Sequence, residues 1–247
     1  MKSVKTVAMM TVVGLLVAGH SRADVTTAIG LLSASLSGAA RAAEKAESSM
    51  NRAASRARDI YVAIVCANTE REPLGLGDVW PKAGKKKEGN VDVPEMRFEN
   101  SSDFFSVLLD GENMNTPNWA PYVCGLDWTK FAGGGIPPKV GAGRLTAENN
   151  IWIIAANITD EMEDIIPFII TRNVDPASLI PKEGDLREQR IRPSPDFKTP
   201  FGDEGFIIVR KGGSILKCPW GEDANLHTLY QGQKVRDAFQ KIKYLTP

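Results

Sequence analysis

Small and apolar residues recur at alternating steps of three and four along residues 29–64, and this pattern constrains the fold more than any other feature of the sequence. Such spacing keeps one face of an α-helix in line. Neither glycine nor proline occurs between Ala39 and Asn68. We therefore expect an almost continuous helix from about Thr27 to Asn68, on the order of 60 Å long at about 1.5 Å per residue. The positions of this face are Ile29, Leu32, Leu36, Ala39, Ala43, Ala46, Met50, Ala53, Ala57, Ile60 and Ile64.

The two halves of this helical face predict different roles. The middle of the face is alanine, which buries little area but allows another helix to approach closely, while both ends carry larger Ile, Leu and Met. We expect the first half, called the seam below, to mediate association between helices. The second half, Met50–Val65 with Tyr61, is expected to pack against the sheet of a following domain. The seam consists of Ile29, Leu32, Leu36, Ala39, Ala43 and Ala46.

The residues after the helix predict a small α+β domain. Pro73 and Gly75 end the helix, because neither residue continues one cheaply. Asn100–Asp103 offers an N-cap for a short helix that carries two core phenylalanines. The apolar runs Ile151–Ala156, with Trp152 in the core, and Ile165–Thr171 are expected to form buried strands.

A glycine pair gives the most secure local prediction in this domain. Gly205–Lys211 and Ser214–Cys218 flank Gly212 and Gly213, which is a strong signal for a β-hairpin. The fold class predicted from all these segments is α+β, with a long N-terminal helical stem packed against a small antiparallel β-sheet head that carries long irregular loops.

The N-terminus predicts export. Lys2 and Lys5 precede an uncharged run, Val7–Gly19, and a small-residue cleavage site at Ala23, which is the order found in a secretory signal. The alternative is a retained segment that continues into the stem and holds the protein in the inner membrane. The expected domains are residues 1–23 as signal or membrane segment, 24–70 as stem and 71–247 as head, located in the inner membrane or periplasm or at the cell surface.

Composition limits the classes of partner and cofactor. The 30 basic and 30 acidic side chains cancel, so no global field favours nucleic acid. The cysteines Cys66, Cys124 and Cys218 lie far apart without metal-ligand spacing, which leaves one disulfide possible and predicts no metal site and no cofactor. The acidic run Thr159–Asp164 is expected to form a short capped helical turn, with a calcium site as the alternative.

Two other functional classes remain open. No catalytic residues can be assigned, since His227 stands without a nucleophile motif and the plentiful carboxylates neither support nor exclude a hydrolase. A secreted soluble binding module is the stronger alternative. In that case Trp119 and Trp128, in a segment rich in glycine and proline, would form the ligand face.

The order of these segments resembles that of type IV pilin-like proteins, especially the pseudopilins of type II secretion systems. The resemblance is carried by Val7–Leu16, by the Ala-rich stretch from Ala42 to Asn68 with Arg-Asp-Ile-Tyr-Val-Ala-Ile near its end, and by the closing Gly-Gly hairpin. It implies a non-enzymatic structural protein, whose partners are other pilin-like subunits or secretion-system components. Lys5, Thr6 and Ala8 occupy the places of the family's prepilin-processing motif, so that processing is not implied here.

Overall fold

The protein is described by a computed structural model that covers residues 22–75, 77–85, 97–109, 145–148, 150–197, 201, 204–233, 239 and 241–247. Within the first helix the side chains are described from Glu47 onward. The chain divides into two units, Met1–Ala46 and Glu47–Pro247. Among the described residues, no helix has both the length and the apolar character needed to cross a membrane.

The first helix, α1, comprises Arg22–Arg71. The prediction of a long helix is confirmed, although the helix begins earlier and ends later than the expected Thr27–Asn68. Residues 69–71 contain no helix breaker, so the helix continues until Pro73 imposes a 3-10 turn over Glu72–Leu74. Gly75 then closes the end with φ of 68°, and its N–H donates to the carbonyl of Glu72 at 3.0 Å.

The second helix, α2, comprises Ser101–Leu109. Its N-cap is Asn100, whose side-chain oxygen accepts from the backbone N–H of Asp103 at 2.7 Å. The amide of Asn100 in turn donates to the Asp103 carboxylate at 2.9 Å. Phe104 and Phe105 are 1% and 0% exposed, which confirms both the capped helix and its place in the core.

Five strands form one antiparallel sheet in the described part of the chain. The order across the sheet is β4-β3-β2-β1-β5, so β4 and β5 are the edges. The predicted buried strands and the Gly-Gly hairpin are confirmed, with Phe206 opposite Cys218 and Ile208 opposite Leu216 in the hairpin. The strands are β1 Trp152–Ala156, β2 Pro167–Thr171, β3 Gly205–Arg210, β4 Ile215–Pro219 and β5 Lys243–Leu245.

The three central strands are buried on both faces, which explains their nearly continuous apolar sequences. On one face lies α1, and five apolar positions of α1 that share one side of the helix are fully buried there; the expected packing role of this half of the helix is thereby confirmed. On the other face Arg210 donates to the carbonyl of Leu229 in a third short helix, α3, Leu226–Leu229. The buried α1 positions are Ala53, Ala57, Ile60, Ile64 and Ala67.

The acidic segment after β1 differs from its prediction. Residues 159–164 form turns instead of a capped helix, closed by bonds such as that from the N–H of Met162 to the carbonyl of Thr159 at 3.2 Å. The side chain of Asp160 accepts from the indole of Trp80, at 2.9 Å, and not from a backbone N–H of its own segment. The Asp160 carboxylate, which the prediction needed as an N-cap, is therefore bound by the indole of Trp80.

Candidate functional site: a helix–sheet junction and an acidic cleft

Tyr61 is the main polar contact between α1 and the β3–β4 hairpin. Its hydroxyl donates to the carbonyl of Lys211 at 2.7 Å. Its ring meets Phe168 of β2 edge to face, with centroids 6.3 Å apart. The pKa of Tyr61 is raised, first by burial and then by the negative charge of Asp164. The ring is thus held from two directions, which fixes the hairpin turn against the helix.

The two glycines of the hairpin turn allow this close approach. A Cβ on Gly213, whose φ is 82°, would lie 2.8 Å from the Tyr61 ring. A Cβ on Gly212 would lie 2.7 Å from the Cβ of Asp164. The glycine pair therefore does more than turn the chain, because it leaves room for α1 on one side and for the loop after β1 on the other.

The ammonium group of Lys211 ties the same turn to the acidic loop. It donates to the carbonyls of Asp160 and Met162, at 2.8 and 2.9 Å, although Lys211 is only 9% exposed. The carboxylate of Asp164 lies 3.7 Å away but is 80% exposed, so it contributes little beyond partial charge balance. A buried ammonium needs such acceptors, and the loop supplies them with its backbone. The positive charge bound by the acidic loop, residues 159–164, is thus the ammonium group of Lys211.

Within the part of the chain that the structure describes, no group of three or more histidine, cysteine, aspartate or glutamate side chains could hold a metal ion. The calcium alternative for residues 159–164 therefore gains no support from the described side chains. The carbonyl oxygens that could have ligated a cation there are used by Lys211.

An acidic cleft of about 320 Å³ lies next to the junction, at the C-terminal end of α1. Burial raises the pKa of Asp78, and the negative charges of Asp160, Glu161 and Glu72 raise it further, while Lys82 opposes them. The cleft thus carries carboxylates that repel one another at neutral pH. Its lining is Val65, Asn68, Thr69, Glu72, Asp78, Trp80 and Asp160.

The remaining predicted functional residues fall outside this junction. The seam positions belong to a stretch of α1 with helical backbone, but their side chains lie outside the described residues, as do Trp119, Trp128 and Cys124 in full. Cys66 and Cys218 are free thiols. Burial raises the pKa of Cys218 to about 11, although the positive charge of Arg210 acts to lower it. The thiol is therefore protonated at neutral pH.

His227 lies beside an open groove of about 530 Å³ between α3 and residues 181–187. Its imidazole packs on the backbone of Gly232, where an added Cβ would lie 2.8 Å from the ring. The backbone N–H of His227 donates to the carbonyl of Leu186 at 3.2 Å. These contacts agree with a packing role for this histidine.

No family model matches this sequence, and no curated protein or solved structure matches it either.

The junction residues escaped sequence reasoning. Tyr61 and Lys211 are 150 residues apart, and no short motif links them. The only local signal was the glycine pair, which marks a turn or a close backbone approach equally well.

Proposed function

We propose that this protein is a non-enzymatic, pilin-like structural subunit of a secretion or filament system. In this proposal the seam packs against other pilin-like subunits or secretion-system components, and the sheet domain is displayed outside the cytoplasm. The observation that carries the proposal is the division of one helical face into two parts. From residue 53 the face is buried within the subunit's own domain, and the same spacing continues upstream through the seam.

Both parts contain alanine, and they differ in what lies beside them, because the buried part packs within the sheet domain. The buried part ends in Ile60 and Ile64, which fill the space beside the sheet and are both 0% exposed. The seam between Leu36 and Ala46 presents alanine, which suits close packing of helix on helix. A helix that served only the core of its own domain would not need the same apolar spacing to continue upstream of residue 47.

The junction supports a mechanical role for the subunit. Tyr61 and Asn51 bind the helix to the hairpin, through the carbonyl of Lys211 and the ammonium of Lys217, at 2.7 and 2.5 Å. Polar contacts of this kind fix the angle between helix and sheet more sharply than apolar packing alone, because hydrogen bonds are directional. A subunit that assembles through its helix needs such a fixed angle to place its sheet domain reproducibly.

The alternative, a secreted binding module with Trp119 and Trp128 as ligand face, concerns residues outside the described part of the chain. It stays a prediction from sequence, and nothing in the described residues favours it.

The proposal is tested by a charge placed in the seam. Ala43→Glu puts a carboxylate where a second helix is expected to approach closely, and desolvating that charge is costly. Ala34→Glu is the matched control, because nine residues separate the two positions and place Ala34 on the other side of the helix by its spacing. Both full-length variants are expressed in the cells of origin, and self-association is measured by cross-linking of the recovered protein.

We expect Ala43→Glu to abolish cross-linked oligomers and Ala34→Glu to retain them. Equal association of both variants would contradict the seam. The N-terminal residue and the membrane partitioning of the recovered protein are measured in parallel. A soluble product that begins at Asp24 and does not self-associate would exclude the pilin-like subunit and leave the secreted binding module.

A further inference from the structure

We draw no further inference here: the strongest candidate, the acidic cleft that Glu72, Asp78 and Asp160 line at the C-terminal end of α1, is a cluster of carboxylates, and no second feature among the described residues points to a ligand in it.

Discussion

Gly213→Ala tests the junction between α1 and the hairpin more directly than any other single change. Gly213 has φ of 82°, a left-handed conformation, and its missing Cβ leaves the space that the Tyr61 ring occupies. An added Cβ would lie 2.8 Å from Cε1, 3.1 Å from Cζ and 3.2 Å from the hydroxyl oxygen of Tyr61. The ring cannot move away cheaply, because its hydroxyl is bonded to Lys211 and its edge packs on Phe168.

Two unfavourable terms and one favourable term add up for this substitution. Left-handed backbone costs a residue with a Cβ about 1–2 kcal/mol, and forcing extra volume into a packed contact costs about 1–3 kcal/mol. Alanine also makes the unfolded chain less flexible than glycine does, which stabilises the folded state by about 0.4–1 kcal/mol. We therefore expect Gly213→Ala to lower the free energy of unfolding by about 1–4.6 kcal/mol.

Gly75→Ala isolates the backbone term. Gly75 has φ of 68°, but an added Cβ would meet nothing within 4 Å. Urea denaturation followed by tryptophan fluorescence gives both free energies of unfolding. The difference between the two variants measures the overlap with Tyr61, and it should shrink in a Tyr61→Leu background, which lacks the colliding atoms. If Gly213→Ala costs no more than Gly75→Ala, or if the Tyr61→Leu background changes nothing, the account of the junction is refuted.

Three further predictions concern the same domain. Lys211→Met should lower the free energy of unfolding by about 2 kcal/mol, because it leaves two carbonyls of the acidic loop without their donor. Lys243→Met, at an exposed lysine of the edge strand β5, is the control and should cost less than about 0.5 kcal/mol; equal losses would contradict the reasoning. Asp78→Asn should stabilise the protein at neutral pH, because the folded state raises the pKa of this carboxyl above its ordinary value of 3.8 and so disfavours its charged form. That advantage should fade as pH falls through the raised pKa, since wild-type Asp78 then takes up a proton in the folded state; an advantage that persists or grows at acid pH in denaturation curves would refute the sign. Asn100→Ala removes the N-cap of α2 and should cost about 1 kcal/mol in the same measurement, whereas no loss would show that Ser101 or water replaces the cap.

Elements that depend on local sequence were predictable. Steps of three and four residues identified α1, and Pro73 and Gly75 identified its end, because the geometry of one helix is decided by the residues within it. The capped helix at Ser101–Leu109, the strand around Trp152 and the Gly-Gly hairpin were found for the same reason. Each signal lies within about ten residues, which is the range over which propensity and turn chemistry act.

Contacts between distant segments were not predictable. Asp160 was expected to cap a helical turn through its own segment, but it accepts from Trp80, 80 positions away. The sequence suggested calcium as a cation for this loop, but gave no sign that Lys211, 51 residues from Asp160, places its ammonium group on the carbonyl of Asp160. The sequence around Asp160 correctly indicated a hydrogen-bond acceptor and a loop that binds a positive charge. It could not indicate that Trp80 and Lys211 are their partners.

The sequence by itself determined the long helix, four of the five described strands and which residues are apolar, because hydrophobic periodicity and turn chemistry are properties of neighbouring residues. It gave no sign of β5, Lys243–Leu245. Only the tertiary structure decided that Tyr61, Lys211 and Gly213 form one junction and that carboxylates from three segments share a cleft. These arrangements depend on which surfaces meet when the sheet closes over the helix. That choice is made by packing across the whole domain, and no window of sequence contains it.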